Sequence, residues 1–354
     1  MPGNYVIVGI SRDLRMIVTS SQNRRASIKD VARLAGVSSK TVSNVIHGYR
    51  YLSASTRERV ESAIKELNYR PDLNARSLRT GRTGLVALSI PALDVPYYAE
   101  LASLVVRSAR QQDLTILIDE TADDPGREVE LLTGLGPRLT DGVICTLTNL
   151  SRPEIEDLHL DPQTPIVLLG ETVLGLPLDH VLIDNIAAAR EATEHLIALG
   201  RRRIAAIGVR RDDLRLEGYR QALDAAGLPI DEHLEINVPN PRHSDQGADG
   251  MRQLLALDEP PDAVFCLTDL LAFGALRVLH KARISVPEQI AVVGFDDLEA
   301  ARHSVPTLSS IAPDKAEIAR AAVERIQLRV ANPSLPAETI VVPHRLVIRE
   351  STVG

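Results

Sequence analysis

The sequence predicts an α/β protein in two parts: a small N-terminal unit of three helices, followed by a large unit in which helices cover parallel β-sheets. Three observations support this prediction. Charge is unevenly distributed along the 354 residues, helical spacing of apolar residues dominates before Gly84, and apolar β-rich runs alternate with helical segments after it. A chain of this length, 44% apolar, contains enough material for two or three compact units.

The net charge of −7 hides a basic segment. Residues 24–82 hold 13 Lys and Arg against 5 Asp and Glu, which gives +8 and leaves −16 for residues 83–354. A basic segment can neutralise phosphates, whereas an acidic surface is repelled by them. The distribution therefore restricts any contact with nucleic acid to the N-terminal part of the chain.

Residues 1–25 are predicted to be a disordered leader, with Met16 as an alternative start. The apolar run in this leader is too short for a signal peptide, and no stretch approaches the ~20 apolar residues that cross a bilayer. Cys145 and Cys266 lie in separate apolar runs without C-x-x-C spacing, so both are interpreted as reduced core residues. These features indicate a cytoplasmic protein without a membrane partner.

Residues 26–71 are predicted to form a helix-turn-helix domain. Ser27 and Asp30 have the spacing of a capping box, in which a hydroxyl and a carboxylate satisfy free amides at the start of a helix. Gly36 can adopt the left-handed conformation that ends this helix. Ser38 then caps a second helix two residues later.

A third helix is predicted over residues 55–67, with Ser55 and Glu58 as its capping box. Helical spacing places apolar residues of all three helices on facing sides. The predicted core of this domain consists of Val31, Leu34, Ala35, Val42, Val45, Ile46, Val60, Ala63, Ile64 and Leu67.

The second helix carries candidate readers of DNA bases. Lys40 and Asn44 are four residues apart and share the face opposite the apolar side. Lysine can donate to O6 and N7 of guanine, and asparagine can pair with N6 and N7 of adenine. Ser39 lies at the helix start, where it can also contact a base. A merely solvated surface is the alternative, but the turn chemistry and the basic charge favour base reading.

After Gly84, short apolar runs typical of buried strands alternate with amphipathic helical segments. The predicted strands are residues 85–90, 114–119, 142–147, 166–170, 204–208, 263–267 and 291–295. The predicted helices include residues 97–112, 185–199, 214–226 and 270–282. A single hydrophobic core rarely serves a segment as long as residues 84–354. The sheet is therefore expected to divide into two lobes near residues 184–186.

The basic segment resembles the headpiece of the lactose/purine repressor family (LacI/GalR). The match is long and ungapped, and it includes residues 28–32 (IKDVA), 35–38 (AGVS), 41–43 (TVS), 67–69 (LNY) and 74–78 (NARSL). The resemblance implies that the second helix enters the major groove of double-stranded DNA. It also implies that residues 72–81 form a hinge helix, where Ala75 and Leu78 reach the minor groove and Leu78 wedges into a base step.

A wedge of this kind needs two hinges, so the resemblance implies a homodimer on a pseudo-palindromic operator. Other DNA contacts of the family, mainly to phosphates, correspond to Ser38, Thr41, His47, Tyr51, Ser53 and Thr56. Contacts to phosphates set the position of a protein on DNA without reading the base sequence.

The remainder resembles the sensor of the same family, which has the two-lobed fold of periplasmic sugar-binding proteins. We expect the first lobe to comprise about 84–184 and 312–329, and the second about 185–311 and 330–354. Ligands of such folds bind at the carboxyl ends of the strands. By position in the family, the effector-binding residues are Tyr98, which stacks on the ligand, Arg215 and Asp296, which hydrogen-bond it, and Thr268.

Two positions depart from the family pattern. Gly170, with Glu171 beside it, replaces an acid at a strand end, and Pro313 replaces a polar ligand contact. A galactoside or purine effector is therefore not expected. His243 lies in a loop where relatives often supply an aromatic side chain, and the chain has no Trp to take that role.

The predicted function is a sequence-specific, nucleoid-associated regulator, a repressor controlled by a small molecule that is expected to be a sugar. An activator of the same architecture cannot be distinguished by sequence. A periplasmic transport component is disfavoured, because such a protein would not carry a basic headpiece. A dinucleotide-dependent enzyme is disfavoured because the Gly134-Leu135-Gly136 run lacks a third glycine. Neither a cofactor, a metal nor catalytic residues are expected.

Overall fold

The protein was analysed as a computed structural model that divides into two compact units, Met1–Gly81 and Arg82–Gly354. The structure describes residues 26–46, 49, 51–69, 82–133, 139–161, 163–170, 175–209 and 213–353. Several sequence-based predictions concern positions outside this part of the chain: the leader 1–25, His47, Ala75 and Leu78 with the hinge 72–81, the Gly134–Gly136 run, and Glu171.

The N-terminal unit contains the three helices that the sequence predicts: α1 (Ile28–Ala35), α2 (Ser39–Ile46) and α3 (Ala54–Glu66). The capping box of α1 is confirmed, since the Ser27 hydroxyl accepts from the Asp30 amide and the Asp30 carboxylate accepts from the Ser27 amide. Gly36 ends α1 with φ 64°, in the left-handed region. The Ser38 hydroxyl accepts from the Thr41 amide at 3.1 Å and so caps α2.

The predicted start of α3 is wrong by one residue, and its cap is a different serine. Ser53 is the N-cap, because its hydroxyl accepts from the Thr56 amide at 3.2 Å. Ser55 instead lies inside the first turn. Ser53 and Ser55 both suit an N-cap by residue type, and the backbone of Ser53, with φ −64° and ψ 146°, is the one that remains extended.

A small core holds the three helices together. Its fully buried side chains are Val31, Ala32, Ala35, Val42, Val45, Val60 and Ala63, with Ile46, Ile64, Leu67 and others partly buried around them. Leu34, which helical spacing assigned to this core, is 46% exposed. The remaining side chains still close a continuous apolar centre, which is what a domain of this size needs to fold.

The large unit is built on two six-stranded sheets. Its strands are β1 (Leu85–Ile90), β2 (Thr115–Glu120), β3 (Gly142–Cys145), β4 (Ile166–Leu169), β5 (Asp179–Ile183), β6 (Ile204–Val209), β7 (Glu235–Asn237), β8 (Ala263–Cys266), β9 (Ala291–Phe295), β10 (Ser309–Pro313), β11 (Thr339–Val342) and β12 (His344–Val347). The first sheet has the order β11-β5-β4-β3-β1-β2, and the second has the order β12-β10-β9-β8-β6-β7. All pairs are parallel except β10 with β12, which confirms the predicted α/β class.

Helices cover both sheets. They are α4 (Pro96–Gln111), α5 (Pro125–Thr133), α6 (Arg152–Asp157), α7 (Asn185–Ala198), α8 (Leu214–Ala225), α9 (Ser244–Leu255), α10 (Asp269–Ala282) and α11 (Lys315–Ala331). Cys145 and Cys266 are unpaired and buried in the middle of the sheets. Within the described residues, no helix has the length and apolarity that crossing a bilayer requires.

The chain crosses between the lobes three times, after β5, after β10 and after β11. Strand β10 belongs to the second sheet, and β11 pairs with β5 in the first sheet. The second and third crossings between the lobes therefore fall after residue 313 and after residue 342. The predicted boundaries at 312 and 330 are therefore placed too early. The crossings leave from β5 and β11 in the first sheet and from β10 in the second, which lie on one side of each sheet, and β2 and β7 form the opposite edges.

Candidate functional site

Helix α2 presents a polar face to solvent. Val42 and Val45 anchor the helix in the core, while Lys40 is exposed and Asn44 and Ser39 are half-buried. Both candidate base readers therefore keep part of their surface available. The short, anchored helix is held rigidly enough to position them.

The predicted phosphate-contacting hydroxyls lie at the N-termini of α2 and α3. Ser38 and Thr41 are hydrogen-bonded to each other at 2.9 Å, and Ser53 and Thr56 at 2.8 Å. These helix ends carry the partial positive charge that attracts phosphate. Tyr51 is 87% exposed and makes an edge contact with the Tyr49 ring. The headpiece thus has hydroxyl groups at the starts of two of its helices.

The large unit holds a cavity of about 880 Å³ between its lobes, at the carboxyl ends of the parallel strands. Its lining includes all four predicted effector contacts, Tyr98, Arg215, Thr268 and Asp296, as well as Gly170 and Pro313. This volume is near the upper end of the range for small-molecule sites.

Arg215 lies in the first turn of helix α8, and three contacts hold its side chain. Its Nε donates to the Asn185 side-chain oxygen at 2.9 Å, its Nη1 donates to the Leu267 carbonyl at 2.5 Å, and its guanidinium lies 3.6 Å from the centroid of the Phe295 ring. Stacking and two hydrogen bonds leave the planar group little freedom. The arginine is consequently a pre-positioned donor in the cavity wall.

Asp296 follows strand β9 in a backbone conformation that side chains rarely adopt, with φ 113°. Burial raises the pKa of its carboxyl group to about 6, although the positive charges of Arg215 and Lys315 act in the opposite direction. Across the described part of the chain, its carboxylate oxygens accept no hydrogen bond. Backbone strain of this kind is common at binding sites. It positions a side chain for a ligand and does not serve the stability of the fold.

The adjacent Asp297 has a structural role. Its carboxylate forms an ion pair with Arg349 at 2.5 Å, and its amide donates to the Ser310 hydroxyl at 3.0 Å. The same hydroxyl donates to the buried Asp269, and Asp269 accepts from the Leu298 amide at 2.7 Å. Burial holds the pKa of Asp269 well above its usual range. These contacts fix the loop and leave Asp296 to face the cavity.

Tyr98 and Thr268 complete the predicted set. Tyr98 lies in the first turn of α4, in edge contact with Tyr97 at 5.4 Å between ring centroids. The Thr268 hydroxyl accepts from the Leu271 amide as the cap of α10 and donates to the Pro241 carbonyl at 2.8 Å. It is therefore occupied on both its donor and acceptor sides.

Sequence reasoning missed part of the lining. His243 is exposed and outside the cavity, and its neighbour Arg242 lines it instead. The loop after β3 adds further polar residues: Thr146, Thr148, Asn149 and Ser151. Buried Glu128 fixes this loop by accepting from the amides of residues 148, 149 and 150. An uncharged loop gave no signal in the sequence, because its role depends on the carboxylate beneath it.

Comparison with known proteins agrees with this architecture. Residues 27–72 match the family described as "Bacterial regulatory proteins, lacI family", and residues 193–352 match a periplasmic binding protein-like domain. The ribose operon repressor of Escherichia coli K12 is 36% identical over 319 residues, which cover 89% of this chain and 96% of that protein. The regulator CelR of Thermobifida fusca is 38% identical, over 93% and 99% of the two chains.

A solved structure, the transcriptional regulator CelR–cellobiose complex, has a TM-score of 0.68 and 34% identity. The alignment covers 92% of this chain and all of that one. Headpiece and sensor are thus matched together and in the same order. The chain belongs to the LacI family of bacterial regulatory proteins.

Proposed function

We propose that this protein is a cytoplasmic, nucleoid-associated repressor whose affinity for operator DNA is controlled by a sugar bound between the lobes. The observation that carries the proposal is the presence of two sites in one chain: a capped helix that exposes Lys40, and a cavity that offers Arg215 and Asp296, whose carboxylate accepts no hydrogen bond from the described residues. The cavity groups are suited to binding, so no catalytic step is proposed. An activator with the same two sites is the alternative.

Operator binding is proposed to require a homodimer. Support comes from strand β2, which lies at one edge of the first sheet and has no further partner among the described strands; its Leu117 and Ile118 are 43% and 44% exposed. Exposed apolar side chains on an unpaired edge are rare unless another surface covers them. In a dimer, the two hinges would place Ala75 and Leu78 at the centre of a two-fold symmetric site.

Lys40→Ala is expected to relax base preference and to weaken specific binding by ~1–3 kcal/mol, because a contact to a base edge is lost. The measurement is selection of binding sites from random duplexes, followed by titration of the selected and a scrambled duplex. Lys65→Ala, on an exposed position of α3, is the matched control. Equal weakening on both duplexes would show that Lys40 contacts only phosphate.

A sugar is proposed as the effector because the cavity offers both hydrogen-bond donors and acceptors. Hydroxyl groups donate and accept at once, so an arginine beside a carboxylate suits them. Relatives named for ribose and crystallised with cellobiose are compatible with either a monosaccharide or a disaccharide.

The test of this function uses the selected duplex in a binding assay with the full chain. A panel of monosaccharides and disaccharides is added, and the change in DNA affinity is measured. We expect at least one sugar to change the affinity tenfold or more. If every sugar that binds the protein leaves DNA affinity unchanged, effector control is refuted.

Effector affinity is expected to depend on pH through Asp296. Ligand hydroxyls donate to the ionised carboxylate, and the pKa of about 6 means that this form is lost as the pH falls through 6. Affinity should be constant above about pH 7 and should decrease below pH 6, by up to about tenfold per pH unit for one linked proton. Calorimetric titration between pH 5 and 8 measures this slope. In Asp296→Asn the slope should vanish, and a flat wild-type profile would exclude the carboxylate as a ligand contact.

A further inference from the structure

Lys315 lies where the chain enters the first lobe after β10. It is the first residue of α11, which packs on α4 and on the first sheet, and its side chain is only 12% exposed. Its ammonium group forms an ion pair with Glu100 of α4 and lies 5.8 Å from the centroid of the Tyr97 ring. Both of these partners belong to the first lobe.

The same ammonium group also reaches the second lobe. Nζ of Lys315 donates to the main-chain carbonyls of Asp296 at 3.0 Å and of Asp297 at 3.4 Å. These two residues have positive φ angles of 113° and 44°, which side chains rarely adopt. A donor to both carbonyls helps to maintain this unfavourable backbone. Lys315 therefore holds the loop that presents the Asp296 carboxylate to the cavity.

A lysine is an unexpected residue at the start of α11. The first turn of a helix carries partial positive charge and favours acidic side chains, and a buried cation is costly unless it is paired. Asp314 already caps this helix, because its carboxylate accepts from the Glu317 amide at 3.0 Å. Where a residue contradicts a local preference in this way, a functional role is a common reason. The contacts that Lys315 makes to both lobes supply such a reason.

A second ion pair also joins the lobes. Nη2 of Arg242, which follows β7, lies 2.5 Å from Oδ1 of Asp123, which follows β2. That pair connects two side chains, whereas Lys315 binds the main chain of a predicted effector contact. A displacement of the Asp296 loop must therefore change the contacts of Lys315, and with them its position against α4.

We infer that Lys315 couples the effector site to the first lobe: a sugar that binds the Asp296 carboxylate displaces this loop, and Lys315 transmits the displacement to α4 through Glu100. This inference rests on the proposed function and names the residue by which the sugar controls DNA affinity. Lys315 is a positioning residue, because it acts on Asp296 through the main chain. Coupling needs one element that both sites can bias, and an ammonium group bound to both lobes meets this requirement.

The test measures how much a bound sugar changes the affinity of the full chain for the selected operator duplex. Ribose, glucose, xylose, galactose, cellobiose, xylobiose and lactose are compared, and the sugar with the largest effect on the wild type is used. Each variant is saturated with that sugar according to its own calorimetric Kd. We expect a wild-type change of tenfold or more, whereas Lys315→Met should bind the sugar but change less than twofold.

Three further variants make the result specific. Glu100→Gln breaks the same link from its other side and should reduce the response similarly, and combining it with Lys315→Met should have no additional effect. Lys315→Arg keeps a charged donor and should recover part of the response. Arg320→Ala removes an exposed arginine of α11 and is the control that should respond as the wild type does.

The pH profile of sugar binding separates this role from a general loss of stability. Burial raises the pKa of Asp296 to about 6, whereas the charges of Arg215 and Lys315 lower it and that of Glu100 raises it. Without the lysine charge, the carboxylate is protonated at a higher pH, so the sugar affinity of Lys315→Met should begin to fall at a higher pH than that of the wild type. The sugar affinity of Glu100→Gln should begin to fall at a lower pH. Calorimetric titration between pH 5 and 8 measures these opposite shifts.

A tenfold response in Lys315→Met would overturn the inference. Loss of all sugar binding in this variant would also overturn it, because Lys315 would then belong to the binding site alone, and so would identical pH profiles in the three proteins. Thermal melting checks folding, and if Lys315→Met does not fold, Glu100→Gln decides by the same criteria. Failure of the proposed function has a different result: no sugar changes the operator affinity of the wild type, and the inference then fails with it.

Discussion

Arg215→Ala is expected to abolish the response to effector while operator binding is retained. A hydrogen bond to a charged group contributes about 1.5–3 kcal/mol, and the guanidinium can offer two such bonds to ligand hydroxyls. Effector affinity should therefore fall by roughly 10²-fold or more. Calorimetry with the effector and titration of the selected operator duplex measure the two properties separately.

Two further variants sharpen this prediction. Arg215→Lys keeps the charge but loses the planar fork that stacks on Phe295 and reaches Asn185, so we expect it to recover only a minor part of the affinity. Arg190→Ala removes an exposed arginine of the same lobe and should behave as wild type. Wild-type effector affinity in Arg215→Ala would contradict the assignment of Arg215 as an effector contact.

The sequence predicted the strands whose side chains are buried on both faces, such as β1, β6 and β9. It missed β7, β11 and β12, which are short and partly exposed. It also missed β5 and β10, which are buried but begin with the polar pairs Asp179-His180 and Ser309-Ser310 and so lack a continuous apolar run. The misplaced lobe boundary has the same cause. Because β11 was not predicted, the local sequence pattern does not show that the chain adds a strand to the first sheet after α11.

The family resemblance explains which site residues were found. Tyr98, Arg215 and Asp296 occupy positions that match the family's effector contacts, and they lie near strand ends, where ligands of such folds bind. Arg242 and Lys315 act through partners in the opposite lobe: Nζ of Lys315, on a first-lobe helix, donates to the Asp296 carbonyl at 3.0 Å. Contacts between segments so distant in sequence depend on how the lobes are placed, which local spacing does not encode.

The second large effect is expected in stability, for Asp179→Ala in the first lobe. Asp179 is fully buried on β5 and accepts from Nε and Nη2 of Arg329 at 2.8 and 2.9 Å, while Nε of Arg325 lies 2.9 Å from its Oδ1. Both arginines are less than 10% exposed. Removing the carboxylate leaves buried Arg329 without its carboxylate partner among the described residues and leaves Arg325 paired only with the exposed Glu338, which costs about 3–5 kcal/mol.

Asp179 also accepts from the Glu338 amide at 2.9 Å, and Arg329 donates to the carbonyls of Pro333 and Leu335. The loop that leads into β11 is therefore held by the same carboxylate.

Urea unfolding of the full chain, followed by circular dichroism, measures the loss of stability. Asp249→Ala breaks a pair whose side chains are about 60% exposed and should cost less than ~1 kcal/mol. If Asp179→Ala unfolds at the same urea concentration as this control, the buried cluster does not stabilise the lobe. Because Asp179 lies outside the cavity lining, the folded fraction of Asp179→Ala should retain wild-type effector affinity. Arg215→Ala should instead keep normal stability and lose effector binding.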